Sequence, residues 1–201
     1  MPYPLPETID AIDCHYRMPN LAAAYLMVGD GRAAFVDNNT RFAAPRLLDA
    51  LARRGVSREA VDYLIVTHAH LDHAGGTAEM LKHCPNAVAL AHPKAARNLI
   101  DPSRLIQGSI AVYGAETYYK YYGEVEAVPE DRIRVIQDGE TIAWGGRELR
   151  FFHTLGHATH HMCIHDTGEN AVFTGDSFGL GLNEAVRPGP PFNVCTSSPV
   201  D

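Results

Sequence analysis

The sequence contains few cysteines, and their spacing excludes two common kinds of cysteine site. The four cysteines are Cys14, Cys84, Cys163 and Cys195. Because no two of them are separated by only two residues, neither a zinc ribbon nor a thioredoxin-like redox motif is present. We therefore expect free thiols. Cys163 lies near several histidines and is a candidate metal ligand, but its preferred interpretation is a small apolar core residue.

Long apolar segments and basic clusters are also missing. No apolar run approaches the roughly 20 residues that span a bilayer. The first residues, Met-Pro-Tyr-Pro-Leu-Pro, lack the basic and apolar regions of a signal peptide. The chain has 17 Lys and Arg against 24 Asp and Glu, without the basic run that a nucleic-acid backbone requires. We expect a cytoplasmic protein that acts on a small molecule, with neither nucleic acid nor a membrane as partner; a homodimer is left open.

The length and the apolar pattern predict a single domain, residues 1–201, in which helices and strands are mixed. Gly29-Asp30-Gly31 indicates a hairpin, residues 43–54 have helical spacing, and 61–66 form a short apolar run typical of a buried strand. Further strands are predicted over residues 87–91, 132–136, 148–154, 160–166 and 170–175. This order favours an α/β (α+β) fold in which helices cover the sheets.

A predicted helical stretch over residues 103–122 is rich in tyrosine. The tyrosines are Tyr113, Tyr118, Tyr119, Tyr121 and Tyr122. They could cap a substrate pocket, but an amphipathic helix that buries aromatic rings is the preferred interpretation. The last four cannot all point to one side of a helix, so some of them are expected to be exposed.

The strongest chemical signal is the segment 67–76, Thr-His-Ala-His-Leu-Asp-His-Ala-Gly-Gly, which follows the predicted buried strand. It places four potential metal ligands within six residues, namely His68, His70, Asp72 and His73. In an extended segment the side chains of His68 and His70 point to the same side. A turn at residue 71 can aim Asp72 and His73 at the same space, and the following Gly-Gly allows the backbone to turn tightly. A polar loop with ordinary surface histidines would rarely show this arrangement.

Four ligands so close together suggest more than one metal ion. One metal in tetrahedral geometry takes about four ligands. With further ligands from elsewhere, the cluster is typical of two metals roughly 3.5–4 Å apart.

This segment has the His-x-His-x-Asp-His pattern of the metallo-β-lactamase superfamily, and three other segments resemble that family in the same order. They are Phe35-Val36-Asp37, His153-Thr154-Leu155-Gly156-His157 and Phe173-Thr174-Gly175-Asp176. The resemblance covers nearly the whole chain. It implies the four-layer αββα sandwich of that family, in a glyoxalase II-like or uncharacterised branch.

The resemblance also implies the roles of individual residues. The first metal would be held by His68, His70 and His157, and the second by Asp72, His73 and Asp176. Asp176 would be shared by both metals. Asp37 would contact neither metal but would orient one of the ligands. The cofactors would be two divalent ions, zinc in the first place, with iron or manganese as alternatives. Asp72 would also be the catalytic residue that orients the nucleophile and passes its proton to the leaving group.

The activity implied is that of a metal-dependent hydrolase, in which a metal-activated hydroxide attacks a small ester, thioester or lactone. One alternative is an enzyme like the persulfide dioxygenases of this superfamily, with a single iron on His68, His157 and Asp176. Another is an inactive metal-binding fragment.

The sequence departs from the family pattern in two places. Leu155 stands where many members have proline, which affects the loop more than the ligands. The family also has a further histidine on the second metal near its C-terminus, whereas no histidine follows His165 here. Residues 186–201 are rich in proline and are predicted to be an extended loop. The resemblance therefore leaves two alternatives: either the C-terminal strand–helix unit is missing from this chain, or the second metal site is incomplete and binds its metal more weakly. His160, His161 and His165 are interpreted as packing or supporting residues.

Overall fold

The computed structural model describes residues 5–177, 180–181 and 193–194, and the larger of its sheets contains six strands. These are β1 (Ile9–Asp13), β2 (Ala23–Gly29), β3 (Arg32–Val36), β4 (Val61–Val66), β5 (Val88–Ala91) and β6 (Ile133–Val135). They lie in sequence order, with β1 to β3 antiparallel and β3 to β6 parallel. The carboxyl ends of β3 and β4 therefore meet at one edge of the sheet, which is where ligands bind in open parallel sheets.

The second sheet is antiparallel and contains four strands in the order β10-β9-β8-β7. These are β7 (Thr141–Trp144), β8 (Arg147–His153), β9 (Met162–Asp166) and β10 (Ala171–Phe173). A pair of two-residue strands, β11 (Leu180–Gly181) and β12 (Asn193–Val194), completes the strands that the structure describes.

Six α-helices connect the strands in the described part of the chain. They are α1 (Ala44–Arg53), α2 (Leu71–Ala74), α3 (Thr77–His83), α4 (Pro93–Ile100), α5 (Ser103–Tyr113) and α6 (Ala115–Tyr122). Short 3-10 helices cover Arg41–Ala43, Arg58–Ala60 and Glu130–Arg132. No helix within these described ranges is both long and apolar enough to cross a membrane.

The larger sheet is buried on both faces, because alternate side chains of its strands enter two different cores. Leu26 and Leu64 pack with residues of α1, α3 and α4, including Leu47. Their neighbours Met27 and Ile65 point the other way and pack against the second sheet. This explains why residues 61–66 are an apolar run rather than an alternating pattern. The result is a layer of helices, then two packed sheets.

The outer face of the second sheet is exposed within the described part of the chain. Phe152 and Val172 show 43% and 55% of their surface to solvent. Three layers of the expected αββα sandwich are thus described. The predicted extended tail lies outside the described residues, apart from 193–194.

Most of the predicted elements are confirmed. The hairpin turns at Asp30 and Gly31, both with positive φ (48° and 72°), the conformation of a tight hairpin turn. The helix predicted over 43–54 and the strand over 61–66 are also present. Four of the described strands, β1, β7, β11 and β12, were not predicted. The single helix predicted over 103–122 is wrong in one respect, because Gly114 (φ 79°, ψ 152°) leaves helical geometry and divides it into α5 and α6.

The tyrosine-rich stretch divides its rings between the interior and the surface. Tyr118 and Tyr122 are buried, while 53% of Tyr119 is exposed. The preferred interpretation, an amphipathic segment that buries rings, is therefore confirmed. Tyr113 and Tyr122 also line a cavity, so a role in capping a substrate pocket stays a prediction for these two.

Candidate metal centre

The predicted ligands come together at one edge of the two-sheet sandwich. His68 and His70 lie in the loop that leaves β4, and His73 lies one turn later in α2. The second sheet contributes His157 from the loop between β8 and β9, and Asp176 from the segment after β10. The centre is therefore built from both sheets.

Three imidazoles form the first group. Ligand atoms of His68, His70 and His157 all lie within 4.8 Å of one another. Nδ1 of His70 is 3.0 Å from Nε2 of His68 and 2.9 Å from Nε2 of His157. Three nitrogens that converge in this way match a metal with three protein ligands and one open position.

A second group contains a carboxylate. Ligand atoms of His68, His73 and Asp176 also lie within 4.8 Å of one another. Oδ1 of Asp176 is 3.3 Å from Nε2 of His73, and Oδ2 is 3.5 Å from Nε2 of His157. One oxygen of Asp176 therefore faces each group. Asp72 belongs to neither group within the described residues; it lines the cavity beside them, so its predicted role as a ligand stays a prediction.

Hydrogen bonds behind the cluster determine which imidazole nitrogens face inward. The Thr67 hydroxyl donates to Asp37 and therefore accepts from Nδ1 of His68, at 3.0 Å. Nδ1 of His73 donates to Oδ2 of Asp37 over 2.8 Å. In both rings Nδ1 carries a hydrogen, so Nε2 is the nitrogen that faces the cluster. A metal bound at Nε2 needs this arrangement, in which the other ring nitrogen donates to an outer partner.

Burial keeps two of the imidazoles neutral. Burial lowers the pKa of His70 to about 4, with help from the neighbouring His157 and His160. Burial and the surrounding histidines also lower the pKa of His68. Although burial opposes it, the charge of Asp37 and hydrogen bonds to Asp176 and Asp37 raise the pKa of His73 well above its ordinary value. Neutral nitrogen donors beside a carboxylate fit a divalent metal such as zinc.

Asp37 is the central supporting group, as the sequence indicated. It is 5% exposed, and its carboxylate accepts from the Thr67 amide at 2.9 Å as well as from the Thr67 hydroxyl and His73. Its φ of 58° is unusual for a residue other than glycine. Such strain is retained where surrounding contacts fix the residue.

Replacement of Asp37 by asparagine is expected to weaken metal binding about 10- to 100-fold. Asparagine has the shape of aspartate but accepts on one oxygen only, so one of the donors from Thr67 or His73 loses its acceptor. Metal affinity measured by competition with a chelator tests this. Asp138→Asn is the matched control, because its carboxylate accepts an exposed backbone hydrogen bond from His153. Equal affinities of the two variants would contradict the role of Asp37.

His161 supports the segment that carries Asp176, which the sequence indicated only in general terms. It is fully buried, and its Nε2 accepts from the Asp176 amide at 3.2 Å. Its Nδ1 then donates to the Thr154 hydroxyl over 2.7 Å. A Cβ on Gly175 would lie 2.5 Å from Nε2 of His161, so glycine is required there. The pairing joins residues 15 positions apart, and the sequence carries no local signal for it.

The other residues singled out in the sequence have structural contacts. Nδ1 of His160 accepts from the Ala69 amide at 3.2 Å and so stabilises the loop that carries His68 and His70. Cys163 is buried and belongs to neither ligand group, which confirms its interpretation as a core residue. Cys14, Cys84 and Cys163 are free, while Cys195 lies outside the described residues.

A cavity of about 650 Å³ opens over the ligand groups. Its floor includes His70, Asp72, His73, His157 and Asp176. Its walls are largely aromatic and aliphatic, with tyrosines from the loop after β1, from β2 and from the helical segment. A volume of this size accommodates a small molecule.

The sequence and this arrangement define a family. A model of the metallo-β-lactamase superfamily matches residues 18–200. The chain belongs to this superfamily, and the predicted family and fold class are confirmed.

The chain is similar to an archaeal protein of solved structure and to a hydrolase. The metallo-β-lactamase fold-containing protein ST1585 of Sulfurisphaera tokodaii is 28% identical over 176 residues, which cover 86% of this chain and 63% of that protein. The crystal structure of ST1585 superposes with a TM-score of 0.70 at 25% identity and covers 92% of this chain and 67% of that one. A hydroxyacylglutathione hydrolase of Citrobacter koseri is 28% identical over 152 residues, covering 76% of this chain and 45% of that enzyme. This chain thus spans less than two thirds of both curated relatives.

Proposed function

We propose that the protein is a metal-dependent hydrolase of small esters, thioesters or lactones that uses two divalent ions, zinc in the first place. The observation that carries this proposal is the pair of ligand groups on the floor of the cavity, which share His68 and are joined by Asp176. The zinc identity, the pairing of two metals and a cytoplasmic location are part of the proposal.

In this proposal His68, His70 and His157 hold one metal, and His73, Asp176 and Asp72 hold the other. A bound divalent metal lowers the pKa of water to about 7 and polarises a carbonyl oxygen. The protein supplies the orientation. Thr67 and Asp37 fix the imidazole tautomers, and the apolar walls limit the access of bulk water.

Asp72 is assigned the proton transfer. It lines the cavity next to His70 and His73, and Nδ2 of Asn39 binds its backbone carbonyl over 2.7 Å. This contact fixes the backbone of Asp72 at the cavity. There the Asp72 carboxylate accepts the proton of the attacking water and returns it to the leaving alkoxide or thiolate. The bond cleaved is the acyl–oxygen or acyl–sulfur bond.

The names of two relatives favour thioesters among the three substrate classes. One is the hydroxyacylglutathione hydrolase, and the other is thioesterase pkgB of Emericella nidulans, 28% identical over 127 residues, or 63% of this chain and 27% of that enzyme. We therefore infer that a thioester should be tested first, before an ester or a lactone.

The first test is metal content by elemental analysis, on protein purified without added metal or chelator. We expect close to two zinc equivalents per chain, and hydrolysis of a simple acyl thioester that chelation abolishes and zinc restores.

Replacement of His70 by alanine should remove at least one zinc equivalent, because Nδ1 of His70 contacts two other ligand nitrogens. His83→Ala is the control, since His83 pairs with Glu79 outside the ligand groups. A chain that takes up no metal, even after reconstitution, would contradict the proposal.

The dioxygenase alternative remains testable in the same experiment. His68, His157 and Asp176 could hold one iron, because His68 belongs to both ligand groups, His157 to the first and Asp176 to the second. One iron per chain with oxygen consumption, and no thioester hydrolysis, would favour that alternative.

A further inference from the structure

The cavity wall contains one cationic side chain among the described residues that line it, Arg17. It lies in the loop between β1 and β2 and is exposed. The other charged side chains of the lining are the carboxylates of Asp37, Asp72 and Asp176, together with the histidines of the floor. None of the ion pairs found in the described ranges includes Arg17. No carboxylate in the described part of the chain therefore neutralises its charge.

Three tyrosine rings hold the guanidinium in place. Its central carbon lies 5.1 Å from the ring centre of Tyr16, 5.6 Å from that of Tyr113 and 4.7 Å from that of Tyr121. These are cation–π distances. The hydroxyls of Tyr16 and Tyr122 are 2.8 Å apart, and although burial opposes it, the proximity of these two tyrosines raises the pKa of Arg17. Because a guanidinium has several N–H donors in one plane, it can stack on aromatic rings and still bind an oxyanion through its edge.

The backbone of this loop is fixed in a conformation that favours glycine. Arg17 has a φ of 59°, and His15 and Asn20 have φ values of 53° and 61°. Nε2 of His15 pairs with Asp13 at 2.9 Å, and Nδ1 of His15 lies 2.8 Å from Nη2 of Arg46. A left-handed conformation costs roughly 1–2 kcal/mol for each such residue. The loop adopts this conformation despite its cost, and it places Arg17 at the cavity.

A purely structural role accounts less well for these contacts. A cation whose only role was to pack against tyrosine rings would not need to line the cavity. Lys120 is an example, since its Nζ lies 5.3 Å from the ring centre of Tyr121 outside the cavity. Arg17 instead faces the same cavity as the candidate metal ligands. A cation that lines a small-molecule cavity and forms no ion pair with any described residue is complementary to an anionic ligand.

We propose that Arg17 binds an oxyanion, a carboxylate or a phosphate, on the part of the substrate that is not cleaved. The substrate class is then an anionic acyl ester or thioester. This inference rests on the hydrolase function proposed above and makes Arg17 a residue that determines specificity.

The test compares acyl thioesters that differ only in charge. A succinyl thioester carries a terminal carboxylate, a butyryl thioester of the same thiol is neutral, and a 3-phosphonopropionyl thioester carries a phosphonate. We expect kcat/KM of the wild type to favour an anionic thioester about 10- to 100-fold, the value of a charge-assisted hydrogen bond. Preference for the phosphonate or for the carboxylate identifies which oxyanion is bound.

Replacement of Arg17 by alanine should remove this preference by raising KM for the anionic thioester, with a much smaller change in kcat. Arg17→Lys should restore part of the preference, because it keeps the charge and loses the planar edge. Lys120→Ala is the matched control, since Lys120 contacts the same tyrosine but does not line the cavity. Thermal unfolding of each variant shows whether the loop change affects folding.

A binding measurement separates this inference from the hydrolase function. Calorimetry of the metal-loaded protein should show that glutarate binds at least about 10-fold more tightly than butyrate, and that Arg17→Ala and Arg17→Lys reduce the difference. If no thioester is cleaved but glutarate binds more tightly than butyrate and the Arg17 variants reduce that difference, the hydrolase proposal fails and the anion site stands. Equal hydrolysis of charged and neutral thioesters, unaffected by either Arg17 variant, would overturn the anion site alone.

Discussion

Replacement of Asp176 by asparagine is expected to lower kcat/KM for thioester hydrolysis by more than about 100-fold and to reduce the metal content by about one equivalent. The two oxygens of Asp176 face different ligand groups, one toward His73 at 3.3 Å and the other toward His157 at 3.5 Å. Asparagine keeps one oxygen and places an amide NH₂, which is a poor metal ligand, at the other position. Elemental analysis and kinetics on the same preparation check both parts.

Two comparisons make this result specific. Asp131→Asn, on the exposed 3-10 helix Glu130–Arg132, removes a negative charge far from the ligand groups and should leave both quantities unchanged. Added zinc should restore part of the activity of Asp176→Asn if only affinity is lost. A variant with full metal content and full activity would show that Asp176 is not a ligand of either metal.

Replacement of Gly175 by alanine is expected to lower the free energy of unfolding by about 2–4 kcal/mol. The new Cβ would lie 2.5 Å from Nε2 of His161 and 3.0 Å from Cβ of Thr67, and both neighbours are buried. The φ of 47° adds a conformational cost that any residue with a Cβ must bear. Because His161 also binds the Asp176 amide, the clash should displace Asp176 and lower metal affinity.

The variant Gly31→Ala separates the steric cost of the new Cβ from the conformational cost of the positive φ. Gly31 also has a positive φ, 72°, but a Cβ there would meet no atom within 4 Å. We expect it to lose only the conformational part, roughly 1–2 kcal/mol, and to keep its metal affinity. Chemical denaturation and chelator competition on both variants measure the difference. Equal losses in the two variants would mean that the contact with His161 has no role in stability.

The parts of the fold that the sequence predicted depend on neighbouring residues. The two-residue alternation of a strand places His68 and His70 on one side, and the apolar run 61–66 indicates a strand buried on both faces. The positive φ of Asp30 and Gly31 follows from the turn sequence itself. Local rules were sufficient for these elements.

The parts that could not be predicted depend on residues far apart in the sequence. The strand β1 exists because it pairs with β2, and nothing in its own composition requires it. The hydroxyl contact between Tyr16 and Tyr122 joins residues 106 positions apart, and it helps to place Arg17 at the cavity. The segment 67–76 indicated four ligand candidates and the family resemblance added His157 and Asp176, but neither indicated that His161 supports Asp176. Such contacts are determined by tertiary packing, which single-sequence patterns do not contain.

Because the ligand groups are divided between the two sheets, a metal bound there would crosslink the chain. His70 and His157 are 87 positions apart and their nitrogens are 2.9 Å from each other. Closing a loop of that length costs about 4 kcal/mol of chain entropy. Ions that bind only the folded chain repay this cost by mass action. With Cys14, Cys84 and Cys163 all free, the proposed metals would join the halves of the sandwich much as a disulfide does in other small domains.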